Sequence, residues 1–264
     1  MSPTLNKVIV IPARYQSSRY PGKPLVDVAG TSMLERVWKI AQRVDGISKV
    51  IIATDDQRIQ LHAQSFGAEV IMTPAELRNG TERAHYAVGL LDQAPDVVIN
   101  FQGDAVLTPY WILDDLVRTI DSTQDLEMAT VAVKLDLEET RATVKAKLEG
   151  ELAGVLVVFD RQKNALYFSR SLIPRKRDDE LASWELHRHI GIYAYTLETL
   201  NKYIELSPSP LEEAEQLEQL RALEYGIKIK VALSDYRGRT PASIDTPEDL
   251  VKVQEIIARE GELP

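Results

Sequence analysis

The 264-residue chain has no cysteine. That excludes disulfides, iron–sulfur clusters, thiolate zinc sites and a cysteine nucleophile together. No apolar run is long enough to span a bilayer. The first residues, MSPTLNK, pass straight into a strand-like run without the apolar h-region of a signal peptide. These absences set the expectation of a cytoplasmic protein with no membrane partner. Positive charge is in short supply, with 31 Lys and Arg against 40 Asp and Glu and a net charge of −9. A nucleic-acid binder ordinarily carries a basic face, so nucleic acid is not the expected partner, and any anion site must be a local basic pocket. Motifs are missing too. G-x-G occurs nowhere, which excludes the dinucleotide fingerprint. Gly22-Lys23 is followed by Pro24 and lacks the earlier glycine of a Walker A loop, and neither H-E-x-x-H nor G-x-S-x-G is present. The four histidines are scattered except His187 and His189, and with no cysteine and no nearby carboxylate pair at ligand spacing a zinc site is a poor expectation.

What is present is an alternation of apolar runs and helical patterns. KVIVIP (7–12) is continuously apolar, as a strand buried on both faces should be. In TSMLERVWKIAQRV (31–44), Met33, Leu34, Val37, Ile40, Ala41 and Val44 recur at helical spacing, and Ser32 with Glu35 forms a capping box. KVIIAT (49–54), EVIMT (69–73) and DVVINF (96–101) read as further strands, with a helix over 55–67 that stops at Gly67. Such βαβ alternation predicts an α/β fold with a parallel sheet covered by helices. The pattern then changes. Strand-like runs at 128–135, 154–160, 165–169, 189–196 and 228–233 have fewer helices between them, which predicts antiparallel pieces and a mixed sheet. One helix is predicted over 207–226, capped by Ser209, opened by Pro210 and Glu212 and ended by Gly226. Its apolar stripe, Leu211, Ala214, Leu217, Leu220 and Leu223, suits a core or a dimer interface. The last helix opens at Thr246-Pro247, and 173–183 reads as a charged, solvated loop.

The chemistry gathers at two strand ends. The loop PARYQSSRYPGKPL (12–25) follows the first strand and carries Arg14, Arg19 and Lys23; QGD (102–104) follows the fourth. In an open α/β sheet, ligands bind outside the carboxyl ends of strands, so Asp104 should face the three basic residues across one crevice. Cations suit a polyphosphate. A carboxylate beside a polyphosphate needs a bridging divalent cation, and magnesium accepts one or two carboxylates plus substrate phosphates. This chemistry is nucleotidyl or phosphoryl transfer, with neither base nor acceptor specified. Each residue also has a plain structural reading: Asp104 as a turn or cap residue, Arg14 and Lys23 as solvated surface charges.

IPARYQSSRYPGKPL resembles the signature loop of the 3-deoxy-manno-octulosonate (Kdo) cytidylyltransferases, the CMP-Kdo synthetases. NGTERA (79–84), INFQGD (99–104), NALYFSRSLIP (164–174), HRHIGIYAY (187–195), PLEEAEQLEQLRALEYGIKIKV (210–231) and IDTPEDL (244–250) are similar to segments of that family in the same order. The resemblance implies one Rossmann-like nucleotidyltransferase domain over 1–264, with about 130–235 contributing an acceptor-binding and dimerisation lobe. It implies a homodimer, a magnesium cofactor, and transfer of CMP from CTP to the anomeric hydroxyl of an acidic sugar, foremost Kdo, in lipopolysaccharide or capsule precursor synthesis. By matching position, Arg14, Ser17 and Lys23 would hold the phosphates, and Arg83 and Gln102 would line the cytosine pocket. Asp104 and Asp245 would bind magnesium, making Lys23, Asp104 and Asp245 the catalytic set. Arg170, His189, Tyr193 and Gln219 would line the acid-sugar pocket.

Taken without the resemblance, Asp245 reads as a neighbour of the last helix's cap, although a helix N-terminus favours an ionised carboxylate. Arg170 reads as a surface ion-pair partner, His189 as a half-buried histidine, and Tyr193 and Tyr195 as core residues on one face of a strand. The chain also departs from the family pattern. Ala105-Val106 stands where Glu-Pro is usual, Ser243-Ile244 where Gly-Val is common, Arg175 where an aromatic is frequent, and 144–160 is longer and more charged. Several departures fall in the acceptor lobe, so an amino-modified Kdo, another acid sugar or a phosphonate is an alternative acceptor. A non-catalytic nucleotide-binding protein is the alternative of another class.

Overall fold

The computed structural model describes residues 5–16, 19–176 and 185–263. In chain order the elements begin with β1 (Lys7–Ala13), a 3₁₀ turn (Lys23–Leu25), the short hairpin β2 (Asp27–Val28) and β3 (Thr31–Ser32), and α1 (Met33–Gln42). There follow β4 (Lys49–Thr54), α2 (Gln57–Ser65), β5 (Glu69–Met72), α3 (Gly80–Val88), β6 (Val97–Asn100) and α4 (Tyr110–Ser122). Next come β7 (Met128–Lys134), α5 (Leu137–Leu148), β8 (Leu156–Phe159), β9 (Ala165–Ser169) and β10 (His187–Thr196). The chain continues through α6 (Leu197–Glu205), α7 (Pro210–Glu215), α8 (Gln219–Glu224) and β11 (Ile229–Ser234), and ends on α9 (Pro247–Glu260). It divides into two units. One holds the residues up to Val117 and those from Tyr236 onward; the other is Arg118–Asp235.

The sheet of the first unit runs β6-β1-β4-β5 with every pairing parallel. Residues Val8 to Ile11 are buried at 1% exposure or less, because β1 has a strand on each side and helices on both faces. Ser32 caps α1 by accepting from Glu35 N at 3.2 Å. The capping box expected there is only half formed, since the Glu35 carboxylate pairs with Lys39 at 2.8 Å instead. Gly67 at φ +86 ends α2 as expected.

In the second unit the pairings are mixed. β11 lies parallel to β7, and β7–β10, β10–β8 and β8–β9 are antiparallel. The segment read as a long charged connection, 144–160, begins instead as the end of α5, whose N-terminus carries a reciprocal box between Asp136 and Glu139. Only Thr140 and Val144 of α5 are buried, which is why its helical period is faint in the sequence. The single helix expected over 207–226 is two. Gln216 takes a left-handed conformation, φ 54° and ψ 48°, and α8 starts three residues later on a new axis. The apolar stripe drawn along one helix is therefore broken: Leu211 is 38% exposed, while Leu217 and Leu220 are buried. The break has a partner. Arg221 reaches Glu212 with Nε–Oε2 2.7 Å and Nη2–Oε1 2.5 Å. Nine residues of continuous helix would hold those positions about 13 Å apart along the axis. Of the loop expected at 173–183, residues 177–183 lie outside the described residues.

Candidate active site

The loop after β1 is folded by local rules. Gly22 sits at φ +73, a conformation open to glycine at little cost, and its N–H closes the loop onto Tyr15 O at 2.9 Å. Pro24 then opens the 3₁₀ turn that carries Lys23. The result is a half-buried lysine aimed inward. Lys23 Nζ donates to Asp104 Oδ2 and to Asp245 Oδ1, each at 3.1 Å, and Arg19 Nη2 lies 3.1 Å from the same Asp245 oxygen.

The two aspartates come from chain segments 141 positions apart, 245 less 104, and each is fixed by backbone bonding. Asp104 follows β6 in a tight turn in which Ala105 N donates to Gln102 O at 3.2 Å and Val106 N to Asp104 O at 2.9 Å. Ile244 N also donates to Asp104 O, at 3.3 Å, which ties the two aspartate segments directly. Asp245 stands just before α9. Thr246 caps that helix, Pro247 follows, and Asp249 Oδ2 accepts from Asp245 N at 3.1 Å and Thr246 N at 3.0 Å.

Around these groups lies a cavity of about 250 Å³. Its basic side is Arg14, Arg19 and Lys23; Gln102, Asp104 and Asp245 continue the lining. The start of α3 supplies Asn79, Gly80 and Arg83. Asn79 Oδ1 caps that helix by accepting from Glu82 N at 2.8 Å. Arg83 is buried, its guanidinium bonded to Thr73 Oγ1 and to Asp55 Oδ2, the latter at 3.2 Å. Gln102 Nε2 donates to Asn100 Oδ1 at 3.3 Å, and Asn100 Nδ2 donates to Thr81 Oγ1 at 3.2 Å. Close packing explains two glycines. A Cβ on Gly80 would lie 3.0 Å from Pro12 Cγ and 3.3 Å from the Gln102 amide, and one on Gly103 would lie 3.0 Å from Pro12 O.

Arg14, Lys23, Arg83, Gln102, Asp104 and Asp245, singled out from the sequence, thus line one cavity, with Arg19 beside them. Ser17 lies outside the described residues. Among the described residues no group of three or more His, Asp or Glu gathers as a metal cage. The pair that remains does suit magnesium. Two hard carboxylate oxygens converge on one cationic group and lie no farther apart than twice 3.1 Å, and magnesium takes its other ligands from water and substrate phosphate. The Ala105-Val106 departure leaves this pair intact, since Val106 is fully buried and packs in the core. Sequence reasoning missed the support of the wall, namely Asp55, Thr73, Asn79, Thr81 and Asn100. Asn79 alone had a local signal, the N-x-x-E spacing of a helix cap.

The other four residues belong to the second unit. His189, Tyr193 and Gln219 come together there in a buried cluster. Tyr193 OH donates to Gln219 Oε1 at 2.9 Å, and Gln219 Nε2 is buried without a hydrogen-bond partner. Thr130 Oγ1 donates its one proton to Ile192 O at 2.8 Å, so at its 2.9 Å contact with His189 it accepts from Nε2–H. The imidazole packs edge-on to Phe168 at 4.9 Å. Burial drives its pKa down to about 3, because the charged form would lose its hydration, so His189 is neutral at pH 7 and is fully, not half, buried. Arg170 stands apart from the cluster's hydrogen bonds. Its Nε donates to Glu215 O at 2.9 Å, and Nη1 and Nη2 lie 3.4 Å from Leu152 O and Gln216 O.

Comparison with known proteins fits this geometry. A family model described as "Cytidylyltransferase" matches residues 8–229. The 3-deoxy-manno-octulosonate cytidylyltransferase of Maricaulis maris is 49% identical over 261 residues, covering 98% of this chain and 100% of the relative. The 8-amino-3,8-dideoxy-manno-octulosonate cytidylyltransferase of Shewanella pealeana is 42% identical, covering 93% of this chain and 96% of the relative. A solved structure of CMP:2-keto-3-deoxy-manno-octonic acid synthetase complexed with CTP superposes with a TM-score of 0.86 at 36% identity, over 97% of this chain and 99% of that one. With its parallel sheet, its loop-borne lysine and a match over nearly its whole length, the chain belongs to the cytidylyltransferase family.

Proposed function

We propose that this protein transfers CMP from CTP to the anomeric hydroxyl of Kdo and releases pyrophosphate. The observation that carries the reading is Lys23 Nζ held between Asp104 and Asp245 in a cavity edged by Arg14 and Arg19. The relative of 49% identity supports Kdo as the acceptor.

The anomeric oxygen forms a bond to the α-phosphorus, the bond to the pyrophosphate oxygen breaks in line, and the hydroxyl proton passes to solvent. Such transfer depends on positioning and electrostatic stabilisation. Arg14 and Lys23, with Ser17, receive the triphosphate, and Lys23 stabilises the charge that builds on the departing pyrophosphate. Gln102 offers amide groups to the cytosine, and Arg83 holds the wall behind it. Asp104 and Asp245 hold magnesium, which supplies charge neutralisation at phosphate and a lowered hydroxyl pKa. In the second unit, Gln219 Nε2 and the Arg170 Nη atoms have hydrogen-bonding capacity to spare for a sugar acid. Tyr193 orients Gln219, and neutral His189 packs behind Tyr193. The same reading carries a homodimer and a cytoplasmic place in lipopolysaccharide precursor synthesis, where CTP and a free acid sugar meet.

Pyrophosphate release with CTP, magnesium and a panel of acids tests the proposal. Turnover fastest with Kdo supports it; turnover confined to a different acid overturns the acceptor. The 42% identical relative favours 8-amino-3,8-dideoxy-manno-octulosonate as the second acid to assay.

A further inference from the structure

Behind Lys23 stands a stack of side chains outside the cavity lining. The Tyr15 ring packs against Gly22: a Cβ built there would meet ring atoms Cζ and Cε2 and the hydroxyl at 3.1 to 3.2 Å. The guanidinium of Arg58, on α2, lies over the same ring, 3.3 Å from its centroid. Arg58 is itself fixed by a two-pronged ion pair with Asp56, the cap of α2, with Nε–Oδ1 3.0 Å and Nη2–Oδ2 2.7 Å. Asp56 N donates to Thr54 Oγ1 at the end of β4, a strand paired with β1 in the parallel sheet. The chain of contacts therefore runs from the sheet, through Asp56 and Arg58, to the Tyr15 ring and the glycine that precedes Lys23.

We propose that Tyr15 and Arg58 are positioning residues, a strut that sets the height of Lys23 above the two aspartates. The inference rests on the CTP reading above. Three features of the geometry support it. Gly22 has a left-handed φ, so the turn into Lys23 is specified at one residue and transmits any displacement of that residue. Tyr15 also accepts the Gly22 N–H at its own carbonyl, 2.9 Å, so backbone and ring brace the same point. Arg58 is 59% exposed at its side chain, yet it is held in one orientation by Asp56 and the ring together. An exposed arginine with no task would have little reason to be pinned twice. Small displacements of a charged group at a reacting phosphate cost large factors in rate.

The test compares wild type, Tyr15→Leu, Tyr15→Phe and Arg58→Ala by steady-state pyrophosphate release, with the unfolding temperature of each as a control. Tyr15→Leu should raise KM for CTP and lower kcat, for about a tenfold or greater loss in kcat/KM, with KM for the acid sugar unchanged. Tyr15→Phe keeps the ring and should stay within about twofold of wild type, and Arg58→Ala should cost about threefold on the nucleotide side. Should Tyr15→Leu fail to fold, Arg58→Ala, on the exposed face of α2, carries the test alone. Wild-type KM for CTP in Arg58→Ala, equal damage in Tyr15→Phe and Tyr15→Leu, or parallel rises in both KM values would overturn the strut while leaving the CTP reading intact. A wild-type chain that neither binds nor turns over CTP sinks that reading, and the strut with it.

Discussion

Asp104 and Asp245 share one ammonium group, the Nζ of Lys23, at 3.1 Å each. That nitrogen lies between the two carboxylates to which the proposed function assigns magnesium, so on that proposal lysine and metal would compete for the same oxygens. Removing either carboxylate as Asp104→Asn or Asp245→Asn should cut kcat/KM about a hundredfold or more. The double variant should fall little further, because the two act as a unit. Lys23→Met separates the two roles. Turnover should drop with the lost phosphate contact, while magnesium affinity of the protein assayed without nucleotide should rise, because Asp104 loses the ammonium group and Asp245 keeps only Arg19. Calorimetric titration with magnesium alone reads the second effect; weaker binding in Lys23→Met would rule out the competition.

The glycine that opens α3 sets two effects against each other. Alanine is the better helix former by up to about 1 kcal/mol, but its Cβ at position 80 would crowd Pro12 Cγ and the Gln102 amide, and overpacking of this kind costs about 1–3 kcal/mol. Gly80→Ala should therefore lower the unfolding free energy by up to about 2 kcal/mol, seen as a lower unfolding temperature, and raise KM for CTP several-fold as the Gln102 amide is displaced. Kinetics and a thermal melt on the same preparation check both halves. A lowered melting point with normal KM would mean that Pro12, not Gln102, absorbs the strain.

The parallel half of the fold was legible because β1, β4 and β6 are buried on both faces and show it as unbroken apolar runs: 7–12 is strand from Lys7 to Ala13, and 49–54 matches residue for residue. Local chemistry also read true at Thr246-Pro247 and Gly67, where a cap or a stop is written in one or two residues. The failures were tertiary. Nothing local in PLEEAEQLEQLR announces a left-handed Gln216, because what fixes it is the Arg221–Glu212 pair and the bonds from Arg170 to Glu215 and Gln216 carbonyls. At the cavity, Arg14, Lys23 and Asp104 could be found by their place at strand ends, whereas Arg83, inside a helix, and Asp245, beside a helix cap, were legible only through the family resemblance. The neutral supports, Thr73, Thr81 and Asn100, are ordinary polar residues until the fold brings them to Arg83 and Gln102.

That broken helix makes its own prediction. Arg221 is 7% exposed, and its two-pronged bond to Glu212 raises its pKa further above the ordinary arginine value. It cannot shed its charge when the partner goes. Glu212→Gln leaves a buried guanidinium without its counter-ion, and breaking such a pair costs about 3–5 kcal/mol. The lower end applies here, since Arg221 also lies 5.1 Å from the Tyr203 ring and the cation–π contact survives. Urea denaturation should show a loss of about 3 kcal/mol. Replacing both partners together as Glu212→Leu with Arg221→Met should restore part of it. A double variant no more stable than Glu212→Gln would place the cost in the break itself.

His189 supplies a pH signature. Folded, its pKa is held near 3 by burial; unfolded, it returns to about 6.5. Between those values the unfolded chain binds a proton that the native state refuses, so stability falls as pH drops below about 6.5 and the loss from this group is complete near pH 3. From pH 7 to pH 5 the group alone should remove about 2 kcal/mol. His187, half-buried, has its pKa lowered by the same desolvation and adds to the raw profile, as do the carboxylates. The clean readout is therefore the difference between wild type and His189→Gln. The variant should be less stable at pH 7, where the His189 donation to Thr130 is lost, and the two unfolding curves should converge as pH falls to 5. A constant gap across that range would mean that His189 takes up its proton without unfolding, and that the cluster of Tyr193, Gln219 and Thr130 accommodates an imidazolium.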